Sequence, residues 1–437
     1  MDTPSRRRRW RRSPDLTLLV LATAVAGACV QVRRPAAAPP PLPAMPLAAD
    51  SVRVDTVAAG VLHRFYYRRE GPWAVHVLDV DRAACWAGVA LKAGGGAVGR
   101  ERTSTLLDRY SDTARFRSER VLVVGGVNAD FFLFTPPGVP AGAHITGGRV
   151  IAGPSDRPVL AFDSAGAPWI GLLRARGTIS WGTDSLPISR WNRAPAGGVA
   201  VFDRSWGPRL DTTTLGGPAL VISDTVRGRL TAAFANGRFL LAPDSSATRS
   251  SSAVAGSSSI PTPPGGFVVA LGADTVQREH WLNLLADSSV HDVRLHLEPF
   301  HPQEAVGGRP VILRDGQVPA DMFRPADTTF GPVRHPRTAA GIAAGGRRLL
   351  LVVVDGRQPG YSAGMTLPEL ASLMRELGAS DAVNLDGGGS SSLALRAVPG
   401  GLFRPANRPS DAAGERPVAN ALAIVRDCRR AWRPPPR

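Results

Sequence analysis

The chain has 437 residues, of which 43% are hydrophobic and 20% are charged, so it can bury a large core and is not intrinsically disordered. The formal net charge of +16 is concentrated at the two ends: residues 1–34 carry eight arginines against two acids, and residues 426–437 carry five against one. Only one lysine accompanies the arginines, which is typical of a compositional bias. Nucleic-acid binding is therefore not expected.

The N-terminal segment has the composition of an export signal. An arginine run precedes an apolar stretch at 16–30, and small residues stand directly before Cys29. We predict that residues 1–34 are an export signal or a membrane anchor. The small residues resemble a bacterial lipoprotein processing site with Cys29 as the lipidated residue, and simple cleavage or an uncleaved anchor are the alternatives. Residues 35–54 are rich in Pro and Ala and are expected to form a spacer, which places the body in the periplasm or cell envelope.

Two further cysteines, Cys85 and Cys428, lie far apart in the chain. In an exported protein they can form one long-range disulfide. The spacings typical of zinc ligands are absent from the sequence, so a structural zinc site is not expected.

The first two thirds of the body favour short strands. Residues 61–98 alternate and are β-rich, and residues 103–111 predict a short helix. Residues 121–134 read as a buried strand that runs into a glycine break. Turn residues divide the segment 158–240 into short strands, which indicates an antiparallel region, and the polar segment 243–266 is expected to be a surface loop.

The last third begins with a predicted hairpin. Residues 338–356 contain two apolar stretches separated by Gly345 and Gly346. Glycine adopts the positive φ of a tight turn at little cost in free energy. With these glycines at the turn, Arg337 lies opposite Val354 and one residue from Asp355. The register therefore predicts a cation beside an acid.

The second strand of this hairpin is followed by a predicted helix and then by a further strand. Thr366 and Glu369 form a capping box at the start of an amphipathic helix, and Gly378 ends it. This order favours a parallel crossover, which would place Asp355 and Asp386 at the carboxyl ends of neighbouring strands. The predicted fold is α+β: one catalytic domain over 55–428 with a mixed β-sheet and packed helices, followed by a basic, Pro-rich tail.

Five segments resemble, in the same order, the motifs of the phosphodiester glycosidase family. They are GGVNADFF (125–132), GGRPVILRDG (307–316), HPRTAAGI (335–342), the long segment 354–395 that contains NLDGGGSSSLAL, and RPVANALAIV (416–425). The resemblance covers most of roughly 120–425. It implies hydrolysis of a sugar that is linked through its anomeric oxygen to a phosphodiester, in a glycan or glycopolymer.

The chemistry of that reaction selects candidate residues. The leaving group is anionic, so the site needs arginines and backbone amides for the phosphate and a carboxylate for water or for the developing oxocarbenium ion. The predicted catalytic residues are Asp386, Asp355, Arg337, Asn384 and Asn128. The residues expected to bind substrate are Arg357, Thr338, Asp130, Gly387, Gly388, Gly389 and Ser390, of which the last four would present a nest of N–H groups.

Each candidate also has a structural interpretation. Asp386 and Asp355 can be turn aspartates, and Asn128 with Asp130 can form an Asx turn. Arg337 can be a structural partner of Asp355. Asp130 resembles a variable position of the family. His335 and His144 are expected to be loop or core histidines, and Phe131 and Phe132 to be core residues.

The requirement for a metal stays open. Asp386, Asp355 and Asn384 offer hard oxygen ligands, but no fixed ligand spacing is present, so the sequence requires no cofactor. The expected partners are the glycan substrate and, through the N-terminus, the membrane, while the oligomeric state is not determined. Two alternatives remain beside the hydrolase: a noncatalytic envelope or exopolysaccharide-binding protein, and a metal-dependent phosphodiesterase.

Overall fold

The described residues form five β-sheets and two α-helices that pack against them. The computed structural model describes residues 49–116, 122–181, 183–195, 197–211, 214, 219–223, 229–235, 238–241, 259–262, 264, 266–271, 291–322, 330–398 and 400–434. Strands account for 47% of the structure and helices for 11%. The predicted α+β class is therefore wrong, because the protein is mostly β.

The strands are short and separated mainly by turns. In chain order they are β1 (Ser51–Ala58), β2 (Val61–Arg68), β3 (Trp73–Asp81), β4 (Trp86–Lys92), β5 (Val123–Asn128), β6 (His144–Thr146), β7 (Arg149–Ala152), β8 (Val159–Phe162), β9 (Pro168–Gly171), β10 (Arg174–Trp181), β11 (Asp184–Trp191), β12 (Val199–Asp203), β13 (Arg209–Asp211), β14 (Ala219–Ser223), β15 (Arg229–Ala235), β16 (Arg238–Leu241), β17 (Ser259–Pro261), β18 (Phe267–Leu271), β19 (His291–Glu298), β20 (Glu304–Gly307), β21 (Val311–Leu313), β22 (Arg337–Ala343), β23 (Arg348–Val354), β24 (Ala379–Asn384), β25 (Leu393–Arg396), β26 (Phe403–Pro405) and β27 (Asn420–Arg426). The helices are α1 (Thr103–Phe116) and α2 (Leu367–Glu376).

A seven-stranded sheet, in the order β1-β2-β3-β23-β22-β24-β21, carries the predicted hairpin and crossover. The register pairs Arg337 with Val354, as predicted. Every neighbouring pair in this sheet is antiparallel, so the expected mixed sheet is not found here. Strands β23 and β24 run parallel to each other, but β22 lies between them. The prediction that Asp355 and Asp386 follow neighbouring strands is therefore wrong, although both follow strands that end at the same edge.

A five-stranded sheet, in the order β26-β25-β5-β27-β4, packs against the first sheet. Their shared core is apolar, with Leu78 and Leu351 from one sheet meeting Val127 and Leu422 from the other. Helix α2 covers the outer face of the seven-stranded sheet, and α1 covers the outer face of the five-stranded sheet. The capping box predicted at the start of α2 is present, with the Thr366 side chain accepting from the backbone of Glu369.

The remaining strands form an eight-stranded sheet, a five-stranded sheet and a two-stranded sheet. Most of their pairings are antiparallel, as expected for the segment 158–240, while β11 and β12 are parallel. Most of the predicted loop 243–266 lies outside the described residues, but β17 within it pairs with β13.

The N-terminal predictions fall largely outside the described residues. Residues 1–48, which include the signal segment and Cys29, are not described, and β1 begins at Ser51 within the segment assigned to the spacer. Among the described residues, neither helix is long and apolar enough to cross a membrane.

Cys85 and Cys428 form a disulfide that joins positions 343 residues apart. The Asp427 N–H also donates to the Cys85 carbonyl at 2.8 Å, so the end of the chain is attached beside the turn between β3 and β4. The disulfide constrains almost the whole folded chain.

Replacing both cysteines with serine should lower the free energy of unfolding by about 2–4 kcal/mol, because the unfolded chain regains the freedom that this long loop had lost. Urea unfolding without reductant measures the change. Wild-type protein in dithiothreitol should match the double variant, and the double variant should not respond to dithiothreitol. Equal unfolding midpoints for the variant and the oxidised wild type would show that the bond contributes nothing.

Candidate active site

Asp386 follows β24 and is held through its backbone. Its N–H donates to the Ala129 carbonyl at 2.8 Å, and its own carbonyl accepts from Asn128 Nδ2 at 2.6 Å. Although the residue keeps a partial opening to solvent, its surroundings raise the pKa of the carboxyl from 3.8 to about 7. Burial is the main cause and the charge of Asp130 adds to it, while the Ser390 hydroxyl and Arg416 oppose the rise. Asp386 can therefore gain or lose a proton near neutral pH.

Asp130 is a second acid with a raised pKa. It is 1% exposed, and burial raises the pKa of its carboxyl to about 6. Oδ2 accepts from the Gly142 N–H at 2.5 Å, while Oδ1 has no hydrogen-bond partner in the described part of the chain. Because Asp130 and Asp386 lie close enough to interact, ionisation of one disfavours ionisation of the other.

Asn128 fixes the Asp386 turn and has its side-chain amide occupied. Its Oδ1 accepts from Thr338 Oγ1 at 2.8 Å and from the Ser392 N–H at 3.0 Å, while Nδ2 donates to Asp386. Both Asn128 and Thr338 are 0% exposed. Both side chains are therefore hydrogen-bonded within the protein, in contacts that hold the Asp386 turn.

Arg337 is buried and anchors the surrounding loop. Its guanidinium donates to the carbonyls of Met365 (2.8 Å), Phe330 (2.9 Å) and Val333 (2.8 Å), and it stacks on the Phe330 ring. Nη1 has no partner among the described residues, and burial together with Arg357 lowers the pKa of the guanidinium to about 9. Asp355 is not among its partners, so the register alone does not create the ion pair.

Arg357 is exposed and lies over the glycine turn. A side chain on Gly388 would approach Arg357 Nη2 to 3.2 Å, so the absence of a side chain at Gly388 leaves the guanidinium room against the turn. Nη2 also lies 3.2 Å from His335 Nδ1, and the His335 ring stacks on Phe330. Burial and the two arginines lower the pKa of His335, which keeps the imidazole neutral at neutral pH.

The glycine turn offers fewer free amides than the sequence suggests. The Gly388 N–H donates to Pro336 at 2.8 Å, and the Ser390 N–H donates to Gly387 at 3.3 Å. These two of the four predicted nest amides are therefore used within the protein, and the Gly387 N–H bonds to the Asp386 carboxyl. Ser390 Oγ makes no hydrogen bond of normal geometry to the described residues, although it lies close enough to lower the pKa of Asp386.

An ion pair packs on the turn at Gly389. Arg416 Nε donates to Asp411 Oδ2 at 2.7 Å, and Nη2 donates to Oδ1 at 3.0 Å. A side chain at Gly389 would collide with both residues of the pair, so glycine is needed for this approach. Arg416 thereby lies close enough to Asp386 to oppose the rise in its pKa, and sequence reasoning did not single it out although it begins the last quoted motif.

Asp355 is engaged by a separate set of donors. Asn407 Nδ2 donates to Oδ1 at 2.9 Å, the Arg408 N–H donates to Oδ2 at 3.0 Å, and the Tyr361 hydroxyl donates to Oδ2 at 3.2 Å. His76 Nε2 lies 3.5 Å from Oδ2. Asn407 also donates to the Ser391 carbonyl at 3.2 Å, so this asparagine connects Asp355 to the turn that follows Asp386.

Asn384 and His144 are both buried. Asn384 Nδ2 donates to the Arg309 carbonyl at 2.7 Å, and its Oδ1 has no partner within the described ranges. His144 Nδ1 lies 3.1 Å from Asn420 Nδ2, and burial lowers the pKa of the imidazole to about 3, consistent with the predicted core histidine. Asn420 Oδ1 also accepts from the Asp130 N–H at 2.8 Å, a contact that sequence reasoning missed.

An open cavity of about 680 Å³ adjoins the Arg416 side of the turn. Phe132 and Phe134 line it together with Arg100, whose guanidinium lies over the Phe132 ring. The Phe134 side chain is 78% exposed, and Phe132 is only partly buried, so the prediction that Phe132 belongs to the core is wrong. Phe131 is likewise only partly buried and meets the Phe330 ring edge-on.

The oxygen-bearing side chains that the sequence offered to a metal make hydrogen bonds to different parts of the protein. Across the described ranges, no group of three or more His, Cys, Asp or Glu side chains is arranged to hold a metal ion. Asp355 and Asn384 are bonded to different segments from Asp386.

Residues 236–425 match the family model of the phosphodiester glycosidases, which confirms the resemblance read from the motifs. A solved protein from Synechocystis shares the fold with a TM-score of 0.66 and 22% identity, covering 86% of this chain and 64% of its own length. This chain therefore spans less than two thirds of that relative.

Two further solved structures are similar to the chain. A Burkholderia pseudomallei K96243 protein whose name assigns it to export has a TM-score of 0.57 and 26% identity, with coverage of 81% of this chain and 74% of that one. The catalytic domain of zebrafish N-acetylglucosamine-1-phosphodiester alpha-N-acetylglucosaminidase, auto-inhibited by its pro-peptide, has a TM-score of 0.38 and 16% identity, covering 86% and 81%. That last score supports no conclusion about fold. No curated protein sequence matches the chain.

The raised pKa of Asp386 predicts a pH-dependent stability difference between wild type and Asp386→Asn. Because the folded pKa of about 7 exceeds the ordinary value of 3.8, the native state binds more protons than the unfolded state between these pH values. Wild-type stability should therefore fall as pH rises through this window, by at most about 1.4 kcal/mol per unit from this group. The Asp386→Asn variant has no carboxyl at this position, so its stability should not show this fall.

Melting temperatures at pH 4.5 and pH 7.5 test the prediction. The melting temperature of Asp386→Asn, relative to that of wild type, should be higher at pH 7.5 than at pH 4.5. Glu70→Gln is the matched control, because the Glu70 side chain is 90% exposed. A difference between Asp386→Asn and wild type that is the same at both pH values would contradict the raised pKa.

Proposed function

We propose that the protein is an extracytoplasmic glycosidase that hydrolyses a sugar-1-phosphodiester linkage in a glycan or glycopolymer. The observation that carries the proposal is Asp386, a partly exposed residue whose carboxyl has its pKa raised by burial to about 7, beside the buried Asp130. The family match over residues 236–425 supports the reaction class.

In the proposed reaction, the ionised form of Asp386 accepts a proton from the attacking water. Water attacks the anomeric carbon, the bond from that carbon to the bridging oxygen breaks, and the phosphate monoester leaves with the bonding electrons. This leaving group is already an anion, so protonation by a general acid is less important than in ordinary glycoside hydrolysis. Burial, to which the charge of neighbouring Asp130 adds, keeps the pKa of Asp386 high, and this makes the carboxylate a stronger base.

Two arginines serve the phosphate in this proposal. Arg357 is exposed over Gly388, and Arg416 is held by Asp411 over Gly389. Guanidinium groups match phosphate oxygens in a bidentate manner and stabilise the charge that develops on the leaving group. The buried Arg337 supports this arrangement by fixing the loop that carries His335, the neighbour of Arg357.

Hydrolysis of a sugar-1-phosphodiester in oxygen-18 water tests the proposal. Suitable probes are the methyl phosphodiesters of N-acetylglucosamine, glucose and mannose at the anomeric position. The label should be absent from the released methyl phosphate, because the carbon–oxygen bond is cut. The phosphate is read because the anomeric oxygen of a free sugar exchanges with water.

The same assay carries its controls. Asp386→Asn should lose at least about 100-fold in kcat with little change in substrate affinity, since the amide keeps the shape and loses the base. Glu70→Gln should retain activity. Oxygen-18 in the methyl phosphate would make the protein a phosphodiesterase, and binding without turnover across the three probes would favour a noncatalytic glycan-binding protein.

Replacing Arg357 with lysine should separate the exposed arginine from the buried one. Lysine keeps the charge and loses the planar fork, so kcat/KM should fall about tenfold with an unchanged melting temperature. Arg337→Lys is the matched comparison: it leaves buried carbonyls without donors and should lower the melting temperature. Wild-type kinetics in a stable Arg357→Lys protein would remove Arg357 from the phosphate site.

A further inference from the structure

A second cavity, of about 760 Å³, opens at the other end of the seven-stranded sheet. Ile342 and Ser380 line it, at the end of β22 and the start of β24. The Asp386 turn lies beyond the opposite ends of these strands. Since seven residues of extended strand span about 20 Å, the second cavity is separate from the candidate active site.

The walls of this cavity combine aromatic rings with cations. Trp169 and Trp432 line it, together with Arg314, Arg429 and Arg433. Indole rings offer flat apolar faces of the kind that pack against sugar rings, and arginines bind phosphate or carboxylate oxygens in a bidentate manner. The combination suits a ligand that has both sugar rings and negative charge.

The floor of the cavity is built around a buried arginine. Arg82 is 1% exposed and lines the cavity. Its guanidinium donates to the carbonyls of Gly346 (2.6 Å) and Arg430 (3.1 Å) and also to that of Gly166. Its Nε has no hydrogen-bond partner among the described residues. A buried donor without a partner is costly unless a ligand or water meets it.

One wall is attached covalently. The disulfide ends at Cys428, directly before Arg429, and Trp432 Nε1 donates to the Gly345 carbonyl at 3.2 Å. The terminal segment that the sequence suggested was a basic tail is therefore packed against the turn between β22 and β23 as far as the structure describes it.

The charge of the cavity favours an anion. Asp315 and Asp381 also line it, and Asp381 Oδ2 accepts from Ser380 Oγ at 2.8 Å. Arg429 pairs with Asp427, but Arg314 and Arg433 make no ion pair with another residue of the described ranges. Positive charge therefore remains available to a ligand.

We propose that this cavity binds an anionic glycan, specifically another stretch of the phosphodiester-linked polymer that the active site cleaves. The identity of the polymer rests on the proposed function. Binding at a point about 20 Å from Asp386 would keep a long substrate on the enzyme between cleavages. A small sugar phosphodiester is too short to occupy both sites at once. The second cavity should therefore affect the binding of the polymer and not the turnover of the small substrate.

The test compares wild type with the Arg314→Gln/Arg433→Gln double variant, and uses Arg404→Gln, an exposed arginine outside this cavity, as matched control. The probe is a phosphomannan oligosaccharide, whose sugars are joined through mannose-1-phosphodiester bonds. Binding is measured by titration calorimetry in the Asp386→Asn background, which prevents turnover. The double variant should bind at least about tenfold more weakly, while Arg404→Gln should bind like wild type.

Neutral mannan and a single-stranded DNA oligonucleotide are the comparison ligands. The proposal is overturned if the double variant binds phosphomannan normally, if neutral mannan binds as tightly, or if DNA binds equally well with the same dependence on Arg314 and Arg433. In the Asp386 wild-type background, the double variant should turn over small sugar phosphodiesters at the normal rate. Failure of every small diester to react would reject the proposed function, whereas the binding result would still decide the second site.

Discussion

The side-chain amide of Asn128 holds together the segments from which the candidate site is built. It stands at the end of β5 in one sheet, accepts from Thr338 in the other sheet, and bonds to the backbone on both sides of the glycine turn through Asp386 and Ser392. The contacts with Thr338 and Ser392 are buried and that with Asp386 is partly buried, and an unmet polar group in a buried setting costs about 1–3 kcal/mol. The position of Asp386 therefore depends on the packing of two sheets and not on its own strand alone.

This enclosure also sets the chemistry of the acids. Asp386 and Asp130 are brought together by the same packing, and low solvent access raises the pKa values of both. Burial of an ionised carboxylate lowers the stability of the folded protein. The arrangement of these two acids is therefore a cost to stability, as is common at functional sites. Asp355, which the sequence ranked beside Asp386, accepts hydrogen bonds from Asn407, Arg408 and Tyr361.

The arginines discussed above are of two kinds, buried and exposed. Buried Arg337 and Arg82 bond to backbone carbonyls and build the loops around them, at opposite ends of the same sheet. Arg357 is exposed, and its Nη2 lies 3.2 Å from His335 Nδ1. The planar guanidinium suits both tasks, because it can bridge several carbonyls when buried and bind oxyanions when open.

Local features were determined by the sequence itself. The hairpin register follows from the two glycines at its turn, and the start of α2 follows from its capping box, because both depend on residues close together in the chain. The ordered motifs were sufficient to indicate the family. Only the tertiary structure decided that β22 separates β23 from β24, that the protein is mostly β, and that Asp130 lies beside Asp386. These outcomes depend on contacts between residues up to hundreds of positions apart, for which local propensity and spacing contain no information.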